Sequence, residues 1–400
     1  MKIILNRGYL LLCMFLCFFI PFIPLAHALS SIIMGCLLVL AFFIFEKKQV
    51  IRILSNKAFI SYGVFFLVIC LQAAYAQTFI ADFAELRKIG QIGLLAILFS
   101  FIKPQHFLKK AFIAGIILSG GITLVRILLY ILETGSLVFY KGDIVVELMM
   151  TPRLYLGVFS VIAFIFCSEL YFCAKTRKNK TAYFCAAIFL LLNIFLIASR
   201  SAIILVLISL VSIVWAKLRS KQRSRVLFII LSVGLFAVLG SYNLSQRFLY
   251  IEDNSRESYI EKVKTHEPRY LIWKSALSIF NKSNSKIFGL GFGKTQQLLR
   301  KEYKLIQPER KRNWFLTRDF NTHNQYFDIL ISTGFLGLAL FIVFLAHLFI
   351  RAKHSIYNLN LFLVLILFMC IENSFHRTFG VFVFALMLAL ILKDSINKSY

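Results

Sequence analysis

The sequence predicts an all-α protein that crosses a membrane many times, and three observations lead there. Hydrophobic residues fill 60% of its 400 positions and the mean hydropathy is +0.80. A soluble domain carries about 45–50% apolar residues, and its core stops growing beyond roughly 250–300 residues. Apolar runs of about 18 or more residues recur along the whole length, each long enough for a helix to cross a bilayer. Basic residues outnumber acidic ones 45 to 18, a net charge of +27, and they cluster in short connections between those runs, as in cytoplasmic loops. In a soluble protein such an excess would suggest nucleic acid. No aromatic–basic interleaving or nucleic-acid motif accompanies it here, so the expected partner is the lipid bilayer and no nucleic acid.

About twelve spans follow, near 9–26, 28–45, 58–75, 86–102, 111–131, 154–172, 181–198, 201–217, 226–242, 325–350, 359–372 and 378–393. The first begins with Lys2 and Arg7 and ends at Ala26-His27-Ala28, a small-x-small pattern like a signal-peptide cleavage site, with Pro21 and Pro24 able to break the helix. A second apolar run follows at once, which favours an uncleaved first span.

Lys47, Lys48, Arg52 and Lys57 fill the connection after the second span, and Lys103, Lys109 and Lys110 the one after the fourth. Lys175, Arg177, Lys178 and Lys180 follow the sixth; Arg219, Lys221, Arg223 and Arg225 follow the eighth; Arg351, Lys353, Lys393 and Lys398 complete the set. Counted alternately, all of these fall on one side. The connections near His27, Asp82 and Ser199-Arg200 are short or poor in lysine. Both termini are therefore expected in the cytoplasm.

This divides the chain into nine spans over 1–242, one large extracytoplasmic loop over 243–323, and three spans with a tail over 324–400. The loop is itself basic, but loops longer than about 60 residues escape the positive-inside rule. Its charge calls for another reason, and an anionic substrate is the natural one. Within it a helix is expected to open at Pro268, a residue tolerated in a first turn. Tyr270, Trp273, Leu277 and Phe280 share a face of that helix, which would lie on the membrane or pack against the bundle.

All eight cysteines lie in or beside apolar runs, and no Cys-x-x-Cys occurs. They read as small apolar fillers, and neither a disulfide framework, a metal nor a cofactor is expected.

Several polar residues converge on the outer side under this topology. Arg200 sits in Ala198-Ser199-Arg200-Ser201-Ala202, a tight turn between two apolar runs, and Arg269 in the first turn of the loop helix, where free N–H groups favour an anion. His323 stands where the loop gives way to the tenth span. Histidine, with an unperturbed pKa of roughly 6.5, suits proton transfer near neutrality. Arg153 and Tyr155 open the sixth span, and Glu372 and Arg377 flank the last outer turn. An ionisable group at mid-membrane costs about 2.5–3.5 kcal/mol even on the lenient scale. Single arginines at an interface can simply snorkel to headgroups, and a lone interfacial histidine is often only hydrogen-bonded. Arg200 and Arg269 stand out from that background by their places in an outer turn and beside a helix N-terminus. Gly334 and Gly337 lie three apart on one helix face, where they permit close helix packing and would fix the histidine at its end.

His323-Asn324 followed by Gly334-x-x-Gly337 resembles the signature of the O-antigen ligase family. Ser199-Arg200-Ser201-Ala202 resembles its arginine-bearing turn. Arg269-Tyr270-Leu271-Ile272-Trp273, followed by Gly289-Leu290-Gly291-Phe292-Gly293, is similar to its loop arginine and glycine-rich segment. The likeness is specific from about 185 to 340 and only topological before that.

It implies an inner-membrane, GT-C-like glycosyltransferase with its active site on the periplasmic face. Such an enzyme moves a glycan from undecaprenyl pyrophosphate to the lipid A core or another glycan acceptor. Arg200 and Arg269 would bind the pyrophosphate and His323 would be the general base of an inverting displacement. Arg153, Asn324, Asp328 and Arg377 would support the site. No Asp-x-Asp or metal-spaced cluster occurs, so the arginines would stabilise the developing charge. An O-antigen or capsule polymerase shares the spans, loop and arginines and is the first alternative. A protein glycosyltransferase usually carries further C-terminal sequence. A transporter or flippase is disfavoured because the charged candidates gather at one face and no broken-helix pair appears in matching halves.

Overall fold

The computed structural model describes residues 2–44, 46–102, 105–135, 147–220, 222–228, 232, 234 and 258–394, and no strand occurs among them. In chain order the helices are α1 (Lys2–Phe19), α2 (His27–Ile44), α3 (Lys47–Leu54), α4 (Lys57–Tyr75), α5 (Phe79–Ser100) and α6 (Gln105–Thr134). There follow α7 (Arg153–Cys173), α8 (Arg177–Leu196), α9 (Arg200–Lys217), α10 (Tyr259–His266), α11 (Pro268–Lys282) and α12 (Phe292–Tyr303). The last are α13 (Glu309–Arg318), α14 (Gln325–Ala352), α15 (Ile356–Met369) and α16 (Thr378–Asp394). A 3₁₀ turn carrying Pro21 and Pro24 follows α1, because proline removes the N–H that an α-helix would need there.

Among the described residues eight helices are long and apolar enough to cross a membrane, and they coincide with eight of the expected spans. The protein is thus a helical polytopic membrane protein, but the expected count of twelve is not reached. The stretch expected at 86–102 belongs to α5, whose first half carries Asp82, Glu85, Arg87 and Lys88. Those expected at 359–372 and 378–393 are α15 and α16, of 14 and 17 residues. At 1.5 Å per residue they extend about 20–25 Å, short of the roughly 30 Å hydrocarbon core. The ninth expected span, 226–242, lies mostly outside the described residues, as does the start of the loop, 243–257.

The chain forms two compact units. The first is drawn from Met1–Glu46, Leu98–Ser255 and Ala352–Val364, and the second from Lys47–Ile97, Arg256–Arg351 and Leu365–Tyr400.

Small residues let helices approach closely in the first unit. A Cβ on Gly115 of α6 would fall 2.1 Å from Phe18 O, and one on Gly157 of α7 would fall 2.7 Å from Ser199 Oγ. Lys109 of α6, almost wholly buried, pairs with Glu169 of α7 at 2.6 Å, so neither charge is left alone in the apolar interior.

In the second unit an aromatic column joins four elements. Tyr62 and Phe65 of α4 pack on Phe344 and Phe341 of α14, Phe341 on Phe375, and Phe375 on Phe384 of α16. The loop helices α11, α12 and α13 share a small core of Ile272, Ala276, Ile279, Phe280, Leu299, Tyr303 and Phe315, which rests on Ile331 of α14. Helix α11 opens at Pro268 as expected, but its buried stripe is Ile272, Ala276, Ile279 and Phe280. Tyr270 and Leu277, expected on that face, are 40% and 42% exposed. Phe280 belongs to both stripes and Trp273 packs against the core, so the helix is rotated from the expected face toward Ile272, Ala276 and Ile279.

Candidate active site

The second unit assembles a polar site where the loop meets α14. Asn324 caps that helix: its Oδ1 accepts from Tyr326 N and Phe327 N, each at 3.0 Å. Its backbone N donates to Asn373 Oδ1 (2.6 Å) and its Nδ2 to Cys370 O (2.9 Å). Asn373 Nδ2 donates to Thr322 Oγ1 at 2.8 Å. The residues on both sides of His323 are thereby stitched to the turn after α15. His323 itself has φ +43, a left-handed conformation uncommon outside glycine. Its N–H donates to Asn321 Oδ1 at 3.0 Å, which helps hold that conformation.

The imidazole that this backbone presents is partnered on one side. Nδ1 of His323 lies 2.9 Å from Oε2 of Glu372, a buried carboxylate beyond the end of α15. Burial alone would raise the Glu372 pKa. The hydrogen bond and charge of His323, then Arg269 and Arg377, outweigh it and hold the carboxyl below its usual range. An ionised carboxylate only accepts, so Nδ1 carries the hydrogen and the lone pair of the neutral ring is at Nε2. The side chain is partly exposed, at 21%. The ring of Phe320 packs against it with centroids 5.6 Å apart. Arg269, in the first turn of α11, donates from Nε to Ile371 O at 3.0 Å and is thereby fixed next to Glu372.

A second histidine lies on the same turn. Nε2 of His376 is 2.8 Å from Asp328 Oδ2, and its Nδ1 is 3.4 Å from Glu85 Oε1 of α5.

The glycine-rich segment pairs with α14 by backbone. Leu290 N and Gly291 N donate to Ile331 O and Ser332 O at 2.9 and 2.8 Å; Phe335 N and Leu336 N donate to Lys286 O and Ile287 O at 2.9 and 3.1 Å. These bonds require α14 to open. It does so at Gly334, with φ 68 and ψ −169, a conformation essentially restricted to glycine. The expected smooth face of Gly334 and Gly337 is thus interrupted by a break. The close approach is to Ile287 and Gly289 of the loop, and a Cβ on Gly337 would meet Thr333 of the same helix.

Beyond the break, Gly291 (φ 84) starts α12, and its N-terminus is occupied by Asp82 of α5. Gly293 N and Thr78 Oγ1 donate to the two oxygens of that buried carboxylate at 2.8 and 2.7 Å. A cavity of about 380 Å³ opens beside it, with Leu71, Gln72, Thr78, Phe288, Thr333 and Leu336 in its wall.

A loop arginine, a histidine at the start of a long apolar helix and a glycine-rich segment are therefore in place. Residues 185–342 match the family model described as O-antigen ligase. The chain carries an O-antigen ligase family domain. Comparison with curated proteins gives no match. The domain agrees with the stretch over which the sequence resembles that family, and it supports a function of the ligase or polymerase type.

The O-antigen ligase domain contains Arg200, Arg269, His323, Asn324, Asp328, Gly334 and Gly337. Of the residues singled out by sequence, the second unit brings together Arg269, His323, Asn324, Asp328 and Arg377. Arg377 is exposed, and its charge acts on Glu372. Arg153 and Arg200 belong to the first unit, where both are half-buried at the starts of α7 and α9. Sequence reasoning noted Glu372 only as the flank of a turn and missed Asn373, His376, Glu85 and Asp82. The run Glu372-Asn373-Ser374-Phe375-His376-Arg377, polar between two apolar stretches, is the signal that was present.

Proposed function

We propose that the protein is an O-antigen ligase-type glycosyltransferase of the bacterial inner membrane, acting on the periplasmic face with both termini in the cytoplasm. It moves a glycan from undecaprenyl pyrophosphate to a sugar of the lipid A core or a similar acceptor. One observation carries this reading: Glu372 holds Nδ1 of His323 at a constrained helix start inside a domain of this family, which puts the lone pair of the neutral ring on Nε2.

In this reaction Nε2 takes the proton of the acceptor hydroxyl as its oxygen attacks the anomeric carbon. The bond from that carbon to the pyrophosphate oxygen breaks, undecaprenyl pyrophosphate leaves, and the anomeric centre inverts. General-base catalysis of this kind typically contributes about 10²–10⁴-fold. Arg269, held beside the His323–Glu372 pair, binds the pyrophosphate, for which guanidinium offers paired N–H donors. The exposed apolar rim of the cavity at Leu71, Phe288 and Leu336 suits the hydrocarbon part of a lipid-linked substrate.

Deletion of the gene tests the reaction by the gel pattern of surface polysaccharide. Loss of a ligase leaves long carrier-linked chains and bare lipid A core. Single repeats attached to the core would instead identify a polymerase, and an unchanged pattern would contradict both.

A further inference from the structure

Two histidine–carboxylate pairs cross between the same two segments. From the start of α14, His323 reaches Glu372 on the outer turn. From that turn, His376 reaches Asp328 on α14 at 2.8 Å. The second pair also engages α5, through Glu85 at 3.4 Å, and Lys88 holds the same Glu85 oxygen at 3.2 Å. Phe292 of α12 lies against the ring with centroids 6.5 Å apart.

Both ring nitrogens of His376 thus face carboxylate oxygens. A neutral imidazole has one N–H and would turn its lone pair on the second carboxylate, whereas the imidazolium presents an N–H to each side. Charged His376 and Lys88 also balance Asp328 and Glu85, in a setting where an unpaired buried charge is costly.

We propose that His376, hydrogen-bonded to Asp328 and ion-paired with Glu85, is a positioning residue that clamps the turn Glu372–Arg377 to α14 and α5 and so sets Glu372 against His323. The proposal rests on the reading of His323 as the base. Burial works against the charged ring, but the charge and hydrogen bond of Asp328, followed by Glu85, prevail over it and over Lys88, and the His376 pKa is raised. The clamp therefore weakens as pH rises through that value, and transfer should decline with it.

The test uses the purified full-length protein with a detergent extract of a gene-deletion strain, which supplies the accumulated carrier-linked glycan and bare acceptor. Initial rates are followed from acid to alkaline pH. His376→Gln should lower kcat by about 10–100-fold, as small misplacements of catalytic groups do. It should leave both KM values unchanged and remove the alkaline fall in rate. Asp328→Asn should move that fall to lower pH, and this decides the matter alone if His376→Gln does not accumulate. A wild-type rate and pH profile in these variants, with His323→Ala inactive, overturns the clamp only. Full activity of His323→Ala removes the base reading beneath it.

Discussion

Glu372 and His323, 49 residues apart in sequence, meet at 2.9 Å between Oε2 and Nδ1. The contact joins the segment before α14 to the turn between α15 and α16. It gives the imidazole of His323 a fixed orientation and, with Glu372 ionised, a fixed tautomer.

Glu372→Gln keeps the shape but removes the charge, and the amide can donate to Nδ1 and reverse the tautomer. Transfer should fall by about 10²–10⁴-fold with normal accumulation in the membrane. Initial rates in the deletion-strain extract measure this, and Glu372→Asp should retain more activity than Glu372→Gln.

Glu372 and His376 give opposite dependences of stability on pH. The Glu372 pKa is depressed, so its contribution is present above the ordinary value of 4.5 and is lost as pH falls through the folded value. His376 is raised from 6.5, so its contribution is complete below that pH and is lost as pH rises through the folded value. Thermal unfolding in detergent across pH should show the acid loss diminished in Glu372→Gln and the alkaline loss diminished in His376→Gln.

At the break in α14, Gly334→Ala would place a Cβ 2.2 Å from Ile287 O, and Gly289→Ala one 2.4 Å from Thr333 N. Each should cost about 1–3 kcal/mol or more, through a strained positive φ and a backbone clash. Because the two positions share one junction, the double variant should lose less than the sum. Thermal unfolding of the purified variants checks both points.

Asp82→Ala removes the carboxylate that caps α12, and about 1–2 kcal/mol of local stability should go with it. Hydrogen exchange should rise in residues 292–303, where α12 lies, while α8 and α9 keep wild-type protection. Asp82→Asn, which still accepts from Gly293 N, should fall between the two.

The membrane helices were legible because an apolar run near twenty residues has few other uses. Where charge enters a helix, as at Asp82 and Glu85 of α5, the run alone gives only part of its length. His323 and Arg269 were legible because ionisable groups stand out at a membrane boundary. Their partners were not, since Glu372 and His376 answer to residues 49 and 48 positions away and no periodicity reports that. Gly334 illustrates a different limit: Gly-x-x-Gly reads alike in a continuous and a broken helix, and only the backbone of Lys286–Gly291 makes the break necessary.

The most direct measurement is complementation of the gene-deletion strain by His323→Ala, with membrane accumulation confirmed and the surface polysaccharide resolved on a gel. The account predicts the deletion pattern, with long carrier-linked chains and bare lipid A core. Restoration of capped lipid A core by the variant would contradict it.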